Sequence, residues 1–188
     1  MLSIAEEIAS LYAADQAARR HHPPFGSEAY LALRRDDATR RARARELLPK
    51  AGALPAITLF HAAMLFQHGD ALEDLREAHE FAGKAAASGY RPARWLAAAT
   101  LDRWLMLQGL PQKYGTQVVP DGRRQRVWDT DPATSDADRL AWDVPPMREM
   151  EEYAEKITRE EPMPNLDQAP DWLKAAIERW NRQDGRSP

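Results

Sequence analysis

The chain contains no cysteine. Disulfides, thiolate metal ligands and cysteine nucleophiles are therefore excluded. Long apolar runs are also missing. The longest, residues 54–66, is interrupted by Pro55, Thr58 and His61, and it falls short of the ~20 apolar residues a bilayer span needs. The first residues, Met1-Leu2-Ser3-Ile4-Ala5-Glu6-Glu7, carry acids where a secretory leader carries basic residues. Together these absences give the expectation of a cytoplasmic protein with no membrane contact. No His-Glu-x-x-His, Gly-x-Ser-x-Gly, phosphate-cradling glycine loop or dinucleotide fingerprint occurs. His61 and His68 lie seven residues apart, about 10 Å along one helix, too far to share an ion unaided. The expectation is no metal and no cofactor.

Charge of one sign is not in excess either. The net charge is −3, which gives no general argument for nucleic acid. The distribution is uneven: residues 1–50 carry nine Lys/Arg and seven Asp/Glu, residues 129–188 eight and fifteen. Six arginines fall between Arg34 and Arg45, but Asp36 and Asp37 sit among them and no aromatic residue interleaves. That pattern is a solvated helix face rather than a nucleic-acid surface. Arginine outnumbers lysine and alanine is frequent, as in proteins of GC-rich bacterial genomes.

What is present is helix signal. With 188 residues and 44% hydrophobic side chains, the chain can build a core, and we expect one mainly α domain over residues 1–182 with a frayed tail at 183–188. Ser3-x-x-Glu6 reads as a capping box. Ile4, Ile8, Leu11 and Tyr12 follow at helical spacing, and Asp15 and Arg19 continue that stripe by steps of four. The His21-His22-Pro23-Pro24 run ends the helix. Ser27 caps the next, in which Tyr30, Leu33, Asp37, Ala44 and Leu48 share a face, so that Asp37 looks inward. Further helices are expected from Pro55 to Gln67, from Asp70 (with Glu73 as a second capping box) to Ser88, and from Pro92 to Gln108. Gly89 and Gly109 act as terminators. Pro120-Asp121-Gly122 is a turn signal between Val118-Val119 and Val127-Trp128, so a short β-hairpin is expected near residues 116–128. Helices resume at Asp136 to Ala141, Pro145 to Glu160 and Pro170 to Arg182, giving seven or eight in all.

Polar residues inside this apolar texture mark the candidate site. Gln112-Lys113-Tyr114-Gly115-Thr116-Gln117 places two amides, a phenol and a hydroxyl around a glycine, groups able to donate to and accept from a ligand. They serve equally to tie off a helix end. Asp102-Arg103 interrupts an apolar stretch at 95–107, where a charge requires a partner. Adjacent helical residues point about 100° apart, so the two need different partners, for which Asp15, Arg19 and Asp37 are candidates. His68 follows a helix end, where it can be either a cap or a general base.

Two resemblances add to this. Ala82-Gly83-Lys84-Ala85-Ala86-Ala87-Ser88-Gly89, with Ala93 and Leu96, resembles one Sel1-type, tetratricopeptide-like helix hairpin. A single unit does not make a solenoid; the resemblance implies close packing of two helices and supports the alternative of a protein-interaction module. Asp15-Gln16-x-x-Arg19, Asp37-x-Thr39, Gln67-His68-x-Asp70, Leu101-Asp102-Arg103, Gln112-x-Tyr114-Gly115-Thr116-Gln117, Asp136-x-x-Arg139 and Pro145-Pro146-Met147 occur in that order. This set, over residues 11–153, resembles an uncharacterised bacterial family of unknown function. Gly69 departs from its pattern, which usually has alanine there. The resemblance implies a fold and a residue list, not a reaction.

The leading expectation is a pocket that binds, and transforms, a small polar or anionic molecule, as a cofactor-independent hydrolase or transferase would. His68, Tyr114 and Asp102 are its catalytic candidates; Arg103, Gln112, Thr116, Gln117, Asp15 and Arg19 are its ligand-binding candidates. The alternatives are a helical module for a protein partner, for which six tryptophans speak, and a purely structural polar network.

Overall fold

The computed structural model describes residues 2–21, 23–24, 26–167 and 169–185. Among them the chain forms eight α-helices and one two-stranded antiparallel sheet, the mainly helical architecture with a hairpin that the sequence implies. His22, and the part of the expected frayed tail at 186–188, lie outside the described residues. The chain divides into two compact units, Met1–Thr100 and Leu101–Pro188.

The first unit holds α1 (Ile4–Ala18), α2 (Glu28–Leu47), a 3₁₀ turn (Leu48–Lys50), α3 (Ala56–Phe66), α4 (Leu72–Ala87) and the first turns of α5 (Pro92–Leu107). Ser3 caps α1 with the full reciprocal box to Glu6. Its core joins Ile8, Ala44, Leu47, Ala62, Leu65, Phe66 and Ala78. Four of its helices contribute, and the alanines let α3 and α4, the most extensively packed pair, approach closely. The start of α4 corrects an expectation. Its cap is Ala71, not Asp70, and Asp74 rather than Glu73 reaches back to the Ala71 N–H, at 3.4 Å. Asp74 is held there by Arg45 and, at 3.5 Å, by Arg41. A Cβ built on Gly69 would lie 2.1 Å from Asp74 Oδ2, so the glycine at 69 and the inward Asp74 belong together.

The second unit holds the rest of α5, β1 (Val118–Pro120), β2 (Gln125–Val127), α6 (Asp136–Ala141), α7 (Met147–Glu160) and α8 (Asp171–Gln183). The strands pair with Val119 opposite Arg126. Trp128 and Trp180 pack edge to face, 5.3 Å between centroids. They form a second core with Met106, Val119, Leu173 and Ala176. The Trp128 indole donates to the Leu110 carbonyl at 2.8 Å, which satisfies its only polar atom. Thr158 on α7 accepts from the Gln125 N–H at 2.8 Å, fixing that helix against β2. No described helix is long and apolar enough to cross a membrane.

Candidate functional site

Within the first unit, Asp15, Arg19 and His68 of the expected site come together, joined by Asp37, Arg34 and Arg40. Asp15 and Asp37 are 1% and 2% exposed. Buried carboxylates require compensation, and here it is dense. Arg19 bridges the two, donating to Asp15 and, at 2.7 Å, to Asp37. Arg40 donates to Asp37 at 2.6 Å, and Gln16 to Asp15 at 2.9 Å. Arg34 ties α2 to the end of α3 by donating to the His68 carbonyl and to Asp70. It thereby satisfies a carbonyl at a helix C-terminus, where a cation is favoured. Burial pushes the Asp37 carboxyl up, but the Arg19 and Arg40 hydrogen bonds, with the charges of Arg19 and His68, outweigh it and hold the group below its ordinary value.

His68 is the loose member. Its Nε2 is buried and accepts or donates no hydrogen bond, yet lies 3.5 Å from Asp15 Oδ2. That separation exceeds a good N–H···O bond but is close enough for attraction once the ring is charged. Arg40 Nε is likewise buried without a hydrogen bond. The side chains of Arg19, Arg34, Arg40 and His68 all keep some exposure. Three arginines thus face two buried carboxylates beside an imidazole, and the cluster contains unspent donors. Buried polar groups are almost always satisfied, so two unsatisfied atoms in one cluster single it out.

Within the second unit, Asp102, Gln112, Tyr114, Thr116 and Gln117 also come together, in a different manner. Asp102, fully buried, accepts from the Lys113 and Tyr114 N–H groups on Oδ1, at 2.7 and 2.9 Å. On Oδ2 it accepts from the Thr116 N–H at 2.9 Å and the Thr116 hydroxyl at 2.8 Å. A carboxylate has about four lone-pair sites, and all are taken. The expectation that Asp102 seeks an arginine partner is corrected: the loop that follows α5 supplies its donors. Burial pushes the Asp102 carboxyl up, against those backbone and hydroxyl hydrogen bonds.

Gln112 is also fully buried and fully used. Its Oε1 accepts from the Gln117 N–H at 2.8 Å, and its Nε2 donates to the Trp128 carbonyl at 2.9 Å and the Gln117 carbonyl at 3.2 Å. Gln117 Nε2 donates to the Thr116 hydroxyl at 3.0 Å. Tyr114 packs against Trp142 at 6.1 Å, and burial first, then the charges of Asp102 and Asp138, raise its phenol so that it stays protonated. Gly115 has φ +85°, and an added Cβ would come 2.7 Å from Met147 Cε, so glycine is required there. Arg139, buried, donates to the carbonyls of Tyr114 at 3.1 Å and Thr134 at 2.9 Å, and to Asp136 at 3.0 Å. Asp136 also accepts from the Met147 N–H at 2.9 Å. Arg103 lies on α5, half-buried.

The sequence does not single out Arg34 and Arg40 as site residues, and Arg139 stands in the Asp136-x-x-Arg139 motif without a role. Arg34 and Arg40 flank Asp37 at three residues either side, a spacing that brings side chains together on a helix and could have revealed them. Compared with known families, curated proteins and solved structures, the chain matches none. The family resemblance therefore rests on its own motifs.

Proposed function

We propose that the cluster of Asp15, Arg19, Arg34, Asp37, Arg40 and His68 binds the anionic part of a small polar molecule. His68 moves a proton on that molecule, as in a cofactor-independent hydrolase or transferase. The observation that carries this reading is the unspent hydrogen-bonding capacity of His68 Nε2 and Arg40 Nε beside two buried carboxylates. Asp15, 3.5 Å from Nε2, stabilises the imidazolium by its charge. Nε2, which makes no hydrogen bond, is the nitrogen that exchanges a proton. Arg34 and Arg40 supply positive charge on partly exposed side chains. The loop at 112–117 serves as scaffold, since its acceptors and donors are largely spent on one another.

Titration of the full chain with inorganic phosphate and with acetate, read on the His68 imidazole signals by NMR, tests this. Anion binding is expected to move those signals, and Arg40→Gln to abolish the response. A His68 ring indifferent to both anions, with His68→Ala destabilised by about 1–3 kcal/mol as for a structural polar group, would remove the proposal.

A helical module for a protein partner is the second reading, favoured by Trp95, which stands 45% exposed on α5, where an aromatic anchor suits an interface. Trp95→Ala would then raise solubility at unchanged stability. A loss of stability on that substitution would identify Trp95 as a packing residue and end this reading.

A further inference from the structure

Two clefts, of about 420 and 530 Å³, lie against β2 in the second unit. Arg126, Val127 and Glu151 line both. The smaller runs between β2 and α7, with Ala154, Glu155 and Arg159 on its helical wall and Arg124 on its strand side. Its volume lies at the small end of ligand sites, which span about 300–1,000 Å³.

The arginines of this cleft all have carboxylates near them, and Arg126 is distinguished by the ring beneath it. Arg124 has Asp121 at 3.6 Å, and Arg159 has Glu155 at 3.8 Å. Arg126 is different. Its guanidinium carbon lies over Trp180, 4.0 Å from the ring centroid, and the charges of Asp129 and Asp184 act on it. It also forms a long ion pair with Asp121, at 4.0 Å. That is beyond hydrogen-bonding distance, and among the described residues no hydrogen bond uses the Arg126 side chain. A guanidinium held over an indole by cation–π attraction keeps its N–H donors available for an oxyanion. Across the cleft, Glu151 is exposed on α7 and has no ion-pair partner among the described residues.

Arg126, whose donors make no hydrogen bond, and Glu151, without an ion pair among the described residues, therefore line the same cleft. A dianion placed there would meet Glu151 and Glu155, and a simple cation would meet Arg124 and Arg126. A molecule carrying both signs satisfies both walls. We propose that the cleft between β2 and α7 binds a zwitterion of the α-amino-acid class, its carboxylate on Arg126 and its ammonium toward Glu151. Val127 and Ala154 offer apolar contact to its side chain.

The test uses the full chain and the standard amino acids in pools, followed by NMR on the Arg126 Nε–H and Val127 amide signals. Propionate, which carries the anion only, and ethylamine, which carries the cation only, are run alongside. At least one pool is expected to move both signals, with propionate and ethylamine weaker than the active amino acid. Glu151→Gln is expected to weaken that binding about fivefold, the size of one exposed ion pair, and Arg126→Gln to abolish it. No shift with any pool overturns the proposal. Propionate binding as tightly as the amino acid, or full affinity in Glu151→Gln, overturns the zwitterion and leaves an anion site only. Far-UV circular dichroism checks that Arg126→Gln is folded. Should it unfold, Glu151→Gln, which alters an exposed side chain, still decides the question.

Discussion

Asp102 sits where its four acceptors organise a whole loop, and its replacement tests that directly. In Asp102→Asn one oxygen becomes an NH₂ group. If that group faces the Thr116 N–H, two donors meet in a buried place; if it faces the Lys113 and Tyr114 N–H groups, two donors are orphaned. Either way the variant is expected to lose about 2–3 kcal/mol in urea unfolding, with the slope unchanged. Thr116→Val removes the hydroxyl but leaves the backbone bonds, and about 1 kcal/mol should follow. Equal losses in the two variants would contradict the geometry, because Thr116 supplies one hydroxyl while Asp102 receives four bonds. This loop was visible in the sequence as an unusual polar run around a glycine. That Asp102 accepts from it was not visible, because the bonds run eleven to fourteen residues back to a helix whose orientation no local pattern fixes.

At the scale of elements, the helix borders follow from caps and breakers to within a residue or two, the ordinary uncertainty of a helix end. Ser3, Ser27 and Ser135 accept from the third helical residue as their side chains allow. The start of α4 is instructive, since Asp70 and Glu73 fit the capping pattern but Asp74 performs the task. Asp74 is drawn inward by Arg41 and Arg45 of α2, and a tertiary ion pair outweighs a local capping preference. Gly69→Ala would force its new Cβ onto Asp74, whereas Gly52→Ala meets nothing within 4 Å. The first is expected to cost about 1–3 kcal/mol, as overpacking does, and the second to be near neutral. Equal thermal midpoints for the two variants would show that Asp74 is free to move.

For the whole molecule, two groups of the first unit contribute to acid stability. His61 stacks on Tyr12, 4.1 Å between centroids, and burial lowers its basicity from the ordinary value of 6.5. A group whose folded value is depressed contributes stability that is complete above the unfolded value and is lost as pH falls through the folded one. Stability is therefore expected to decline as pH drops below about 6.5. A His61→Phe chain, which keeps the stack, should show a flatter profile there. Asp37 is depressed below its ordinary value of 3.8 as well. Its contribution is intact above that value and disappears as pH falls further. Urea midpoints measured from neutral to acid pH should thus fall in two stages, the lower of them missing in Asp37→Asn. A single stage unaffected by either substitution would mean that neither group governs acid unfolding.

The sequence by itself determined the class of this protein, because apolar spacing, caps and terminating glycines are local and act on the backbone within a turn or two. It also marked Asp15, Arg19 and Asp37 as charges on apolar stripes, since a period of four residues leaves them nowhere else to point. Only the tertiary structure decided what those charges do. It turned His68 toward Asp15 without a hydrogen bond, satisfied Asp102 from the loop after its helix, and satisfied Gln112 from that loop and from Trp128. It placed Arg126 over Trp180 and left Glu151, without an ion pair among the described residues, beside a cleft. Compensation of a charge depends on which groups arrive from distant segments, and that is set by how helices and strands pack rather than by any spacing along the chain.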